Sequence, residues 1–590
     1  MRSAAMASLR APDVRTAAPR ALIAWLLCCA AMLWLFRGAY PTFGFKDPDD
    51  AMRLAQVRDW LAGQAFWDVS QHRVNPPIGG PMHWSRIVDM PIAAIILMLR
   101  PLMGATGAEL VAMIATPLLL LGGLATAIFV AARRLAGAQV ALGAVLLLCV
   151  TPTILVQFTP LRIDHHGWQI MLAAVALAGA LDARTGRGGM VAGIALAVWL
   201  QISSEALPYA ALLGALFALR HWIDRDESKR FVAYAATLGG CALPLLVLLR
   251  GPGAALIRFC DALSYAYVWP LAAMAVAVPV AARIVGLGSA TRRLAIAMLG
   301  GGVAVALFAI TGGPCVTGDP FAALGPVAYR LWYLQVMEGR PIWEQTRALQ
   351  GLILLPALVG MAATLAAARC ARGGERARWL VTAALLAGAA AVSVMVMRAL
   401  SVAHVFALPG IAWAILAAFR RAQADSRATV RVLGSVALVM LTPVGLCSAW
   451  AALASKDDGA ERPAVNCRAA QVLAPLRALP PATLFAPIDM GPDILVQTHH
   501  NVIGTAHHRN AVGITAVIDG FVDAPDAARA VIGRTSAAYV VGCEGLNENR
   551  IYAKDNPRGL AAMLERGVVP GWLEPVPVKA PLRLYRIRRE

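Results

Sequence analysis

Leu161-Arg162-Ile163-Asp164-His165-His166-Gly167-Trp168 sets one carboxylate and two imidazoles at the mouth of an apolar segment. Asp49, Asp50, Glu205, Glu338 and Arg398 also lie in or beside long apolar runs. Ionisable groups are expensive at membrane depth, so each is a functional candidate. Carboxylate oxygens suit Mg2+ or Mn2+, and an imidazole tilts the choice toward Mn2+ or another transition metal. Asp164 and His166 stand two apart at a helix mouth, so both can turn toward one ion. Asp50 and Glu338 come from distant loops and complete a plausible divalent-metal set. The plainer alternatives are solvated loop charges and, for Asp164, an acidic helix cap. His165 is expected to point away. Arg398 falls between two apolar runs, where a guanidinium either grips a phosphate bidentately or snorkels to the interface. Glu205, just before Pro208, reads as a charge at a helix end.

The elements that position these residues are membrane helices. Of 590 residues, 59% are hydrophobic and 15% charged, and the mean hydropathy is +0.64. Apolar stretches of about 20 residues recur, the length that crosses roughly 30 Å of hydrocarbon. The net charge of +19 could suggest nucleic acid. The arginines, however, cluster between apolar runs, as cytoplasmic anchors do, so no nucleic-acid partner is expected. Hydropathy predicts about thirteen spans, the first over 21–36 behind a basic flank. Alternation then places 37–108 and 312–347 as long outer loops within a membrane domain spanning 1–450. Asp50, Asp164, Glu205, Glu338 and Arg398 all fall on that outer side, and nearly every arginine cluster falls inside.

The tail, 451–590, changes character and predicts a small α/β extracytoplasmic domain. Strand-like runs cover 483–488, 494–498 and 537–541, and helix-like runs cover 525–532 and 560–566. The ten cysteines show no zinc spacing. Cys467 and Cys543 share the tail and can pair if it faces an oxidising compartment. Trp67, Trp84 and Trp168 read as an interfacial belt.

Taken together, these motifs resemble the catalytic subunit of oligosaccharyltransferases, within the GT-C superfamily. Asp49-Asp50-Ala51-Met52 and the helix after it are similar to the bacterial Asn-Asp-Ala-Tyr segment. His83-Trp84 through Asp89 resembles the archaeal His-Trp-Gly-Pro-Leu-Phe-Asp stretch, and Asp164-His165-His166 its Asp-His-His motif. Val336-Met337-Glu338-Gly339-Arg340-Pro341 resembles Val-Ser-Glu-His-Gln-Pro, and Met397-Arg398-Ala399-Leu400 resembles the segment that faces the donor phosphate. The resemblance implies a polytopic α-helical GT-C fold in the cytoplasmic membrane, with the tail outside. It implies Asp50, Asp164 and His166 as ligands of Mn2+ or Mg2+. Asp50 and Glu338 would be catalytic, and Arg398 would bind the phosphate of a polyprenyl-linked sugar donor.

One departure concerns the acceptor. The family's tail carries Trp-Trp-Asp-Tyr-Gly, whereas the comparable stretch here is Pro487-Ile488-Asp489-Met490-Gly491. Asp489 and Gly491 remain as acceptor-contact candidates. The acceptor is therefore open between a protein, a lipid and a polysaccharide. The competing reading is a transporter or flippase of lipid-linked sugars. That class favours mid-membrane polar groups and paired, interrupted helices in two halves, and no half-to-half repeat is visible.

Overall fold

A computed structural model describes residues 14–317, 321, 324–454 and 466–588. Arg2 and Arg10 of the basic flank lie outside these residues. Among them, nine helices are long and apolar enough to cross a membrane, and two bent helix pairs raise the number to eleven. The count is lower than the expected thirteen because two segments fall short. His166–Ala180 has only 15 residues, and Thr185–Ile202 carries Arg187 and Gln201 within its 18. The chain is a multi-pass helical membrane protein with a small sheet region near its C-terminus.

Leu, Ala and Val fill one large core between the helices. Small residues let backbones meet there, as is usual between membrane helices. A Cβ added at Gly239 would lie 1.9 Å from the Leu271 carbonyl oxygen, so only glycine allows the observed approach. The apolar stretch 91–103, too short to span comfortably by sequence, belongs to a helix of its own that starts at Asp89 and is set off from the span running to Ala136 by a kink at Gly104. There φ is 74°, a left-handed value that glycine adopts at little cost.

The segment 37–88 between the first two long apolar helices contains the helix Pro48–Leu61. The Asp47 carboxylate accepts the Asp49 N–H at 2.9 Å, and Pro48 sits in the first turn, where its missing N–H costs nothing. Arg53, on the buried face of this helix, donates to Asp89 at 2.9 Å, and Arg86 donates to the other Asp89 oxygen at 3.2 Å. All three are almost fully buried. This network fixes the helix over the start of Asp89–Ala136.

The tail holds a five-stranded sheet in the order β2-β1-β3-β5-β4. Its strands are β1 (Thr483–Phe485), β2 (Asn501–Val502), β3 (Ala537–Cys543), β4 (Leu573–Val576) and β5 (Leu582–Ile587). β1 pairs parallel with β2 and β3, and β5 pairs antiparallel with β3 and β4. The run 494–498 is not a strand: it is the second half of the helix Gly491–Gln497, whose first turn holds Pro492 and Asp493. Val74 bridges to Val502, so the segment after the helix Pro48–Leu61 covers the β2 edge. Arg58 and Arg73 then donate to the carbonyls of Leu495, Val496, Thr498 and His500. Leu495 and Val496 are in the last turn of that helix, whose carbonyls lack partners within it, and Thr498 and His500 follow its end. Disulfides join Cys467 to Cys543 and Cys260 to Cys315.

Candidate active site

Asp49 and Asp50 sit in the first turn of Pro48–Leu61, and Asp164 and His165 just precede the helix His166–Ala180. These two helix N-termini meet through Asp50. One of its oxygens accepts the backbone N–H groups of Ile163 and Asp164 at 2.8 and 3.0 Å. The other faces Arg162 at 3.1 Å. Arg162 also reaches Asp47 and Asp164, each at 2.8 Å. A guanidinium thus bridges three carboxylates, two of which were expected around a metal.

This arrangement redistributes the expected ligand set. Among the described residues, donor atoms within 4.8 Å of one another occur in two groups, Asp49, Asp164 and His165 at this site and His83, Asp261 and His508 nearer the tail. Asp50 is committed to Arg162 and to backbone N–H groups. His166 instead places its Nε2 3.7 Å from Asp164. His165, expected to point away, is 7% exposed, and its Nδ1 has no hydrogen-bond partner. A buried unpartnered imidazole nitrogen beside two carboxylates fits a divalent cation with mixed oxygen and nitrogen ligands.

Arg398 precedes the helix Leu400–Gln423 in a short 3-10 turn. Its guanidinium reaches Glu205 at 2.5 Å and Glu338 at 3.4 Å. Glu205 is thus the direct partner of Arg398, not a free helix-end charge. Glu338 is held near by the loop backbone, because Met397 N–H donates to the Arg340 carbonyl at 3.2 Å. Arg398, Glu205 and His166 share the wall of a cavity of about 90 Å³ with Trp199, Tyr209 and Gln169. Its remaining lining, including Ile170, Val392 and Val402, is apolar.

The tail contributes from above. His507 faces Asp49 at 3.3 Å. His508 and Arg509 both hold Asp261, at 2.7 and 2.8 Å. Burial alone would raise the Asp261 carboxyl, but the hydrogen bonds from His508 and Arg509 outweigh it and hold it well below the usual range. Trp84 is not part of an interfacial belt: it is 2% exposed, with the Arg53 guanidinium 4.0 Å above its ring. Asp489 lies in an exposed turn, its N–H donating to Glu548 at 3.0 Å. Gly491 has a packing reason, since a Cβ there would lie 2.3 Å from the Gly504 carbonyl oxygen.

Sequence reading missed Arg162 as a bridging cation and Asp261 as the tail's anchor. Arg162 was visible two residues before Asp164, an i, i+2 signal. Nothing local marked Asp261.

No protein-family model matches the chain, and no curated protein does. Solved structures do match, among them three of one archaeal oligosaccharyltransferase from Archaeoglobus fulgidus. The apo form is 14% identical with a TM-score of 0.64, over 94% of this chain and 73% of that one. The complex of AglB with an inhibitory peptide and a dolichol-phosphate is 14% identical with a TM-score of 0.60, over 92% and 72%. The complex with Zn and sulfate is 14% identical with a TM-score of 0.55, over 88% and 68%. The chain therefore shares the fold of that archaeal protein over most of its length.

Proposed function

We propose that the protein is a membrane glycosyltransferase. It moves a sugar or oligosaccharide from a polyprenyl-linked phosphate donor to an acceptor at the outer face of the cytoplasmic membrane, and its tail lies on that side. One observation carries the reading. Arg398, Glu338 and the pair Asp164–His165 come from three distant parts of the sequence and gather beside a cavity with apolar walls. The archaeal protein of the same fold binds a dolichol-phosphate and a peptide, which supports a lipid-linked donor and a protein acceptor.

In the reaction, an acceptor nitrogen or oxygen attacks the anomeric carbon. The bond from that carbon to the phosphate oxygen breaks, and its electron pair leaves with the phosphate. Arg398 stabilises the charge that develops there. Glu338, beside Arg398, takes the acceptor's proton. Asp50 holds the Ile163–Asp164 backbone and thereby positions Asp164 and His165. A divalent cation, which Asp49, Asp164 and His165 fit, would add Lewis-acid stabilisation of the leaving phosphate. The Zn complex of the archaeal protein supports such an ion.

The test is consumption of a polyprenyl-linked sugar pool by the purified protein with Mn2+, products read by mass spectrometry. Release of the carrier, lost in Asp164→Ala and Arg398→Ala, is the expected result. Movement of intact lipid-linked sugar across vesicles, with no release, would replace the enzyme with a flippase.

A further inference from the structure

Two imidazole nitrogens buried beside Asp49 make no hydrogen bond among the described residues: Nδ1 of His165 and Nε2 of His507. His165 belongs to the set already matched to a cation. His507 does not: it comes from the tail, between β2 and the helix Ala511–Val522. It is 3% exposed. Its Nε2 stands 3.3 Å from an Asp49 oxygen without the alignment of a hydrogen bond. A plain ion pair would aim the Nε2–H at the carboxylate. A buried polar nitrogen with no partner is rare and costs free energy, so this one calls for an occupant. Two donors on one ion, each about 2.0–2.2 Å from it, stand roughly 3–3.6 Å apart, which matches the spacing to Asp49.

The rest of the side chain is fixed for that task. Nδ1 of His507 lies 3.1 Å from the Thr505 hydroxyl. When Nδ1 donates there, Nε2 keeps the lone pair that a cation needs, the usual arrangement of a ligating histidine. The ring meets Trp84 edge-on at 5.1 Å, and Trp84 also flanks His165 at 6.3 Å. One buried indole thus restrains both imidazoles. The next two residues, His508 and Arg509, are held on Asp261, which pins the backbone beside His507.

We infer that His507 is a fourth protein ligand of the divalent cation, brought by the tail to Asp49, Asp164 and His165; this rests on the glycosyltransferase reading, which calls for that cation. His507 lies outside the group whose donor atoms fall within 4.8 Å of one another, so its engagement draws the tail toward the membrane part. Cation binding and tail docking then strengthen each other by the same factor. Two imidazoles beside two carboxylates also favour Mn2+ or another transition metal over Mg2+.

The experiment titrates Mn2+ into the full chain in nanodiscs, read by electron paramagnetic resonance. The signal of this site is the part lost in Asp164→Asn. Pulsed measurement with 15N-labelled histidine counts the imidazole nitrogens on the bound ion and needs no turnover. Two are expected in the parent and one in His507→Gln, with affinity about tenfold to a hundredfold lower in the variant. Mn2+ should slow hydrogen exchange over 503–510 in the parent and not in His507→Gln. His507→Asp, which returns a ligand oxygen, should recover most of the affinity with one nitrogen, a rescue that a misfolded variant cannot give. An excess of about a hundredfold Mg2+ should leave Mn2+ in place in the parent. One nitrogen in the parent overturns the inference even where His507→Gln weakens binding, since His507 then only orients Asp49. Two nitrogens that persist in His507→Gln overturn it as well. No bound Mn2+ also overturns it, and release of the carrier then decides the glycosyltransferase separately.

Discussion

Three neighbouring carboxylates have separate fates. Asp50 is bound to Arg162 and two backbone N–H groups, whereas Asp49 and Asp164 converge on His165. Their variants should therefore fail differently. Asp50→Asn leaves a buried guanidinium short of one partner and is expected to lower stability by about 3 kcal/mol, read as a fall in Tm. Asp164→Asn is expected to remove Mn2+ binding, measured by electron paramagnetic resonance, on top of a fall in Tm from its own lost pairing with Arg162, whereas Asp50→Asn should keep that binding. Arg398→Ala is expected to cut transfer by about a hundredfold to a thousandfold, the scale for losing one preorganised donor to a developing charge. Sequence showed which residue types carry the chemistry. It did not show the order of Asp49 and Asp50 around Arg162, because adjacent residues on a helix point about 100° apart and only packing selects the one that faces inward.

At the scale of elements, the loop between the helices Ser228–Arg250 and Tyr265–Val285 links two separate parts of the fold. Cys260 ties it to Cys315, at the start of the segment that carries Glu338. Asp261, the next residue, holds His508 and Arg509 of the tail. The Asp261 carboxyl is depressed in the folded state. Its contribution is therefore present above the ordinary aspartate value of about 3.9 and is lost only as pH falls toward the depressed one. The latch should hold through mild acid, and Asp261→Asn should increase hydrogen exchange around 507–510 at every pH above about 4. Helices were readable because apolar length reports them directly. The helix Gly491–Gln497 was not: a short apolar run fits strand and helix equally, and Pro492 settles it only once its place in the first turn is seen. Strand β5, with alternating Leu582, Leu584 and Arg583, carried the period-two signal and was overlooked.

For the whole molecule, most of the spans were legible because the bilayer demands apolar length of any helix that crosses it. The join between membrane part and tail was not, since it pairs residues more than 400 positions apart. The helix end at Leu495–His500 relies on Arg58 and Arg73, and the β2 edge relies on Val74. Residues 466–590 produced alone are expected to show a poorly dispersed amide spectrum and to aggregate, since an open sheet edge and unmet carbonyls are then exposed. In synthesis the same join imposes a delay. Arg73 is made 427 residues before His500. At about 5–20 residues per second, it waits roughly 20 to 85 seconds for that carbonyl. Every chain that stops before Leu495 therefore leaves the ribosome with Arg58 and Arg73 still short of the carbonyls they hold in the finished fold.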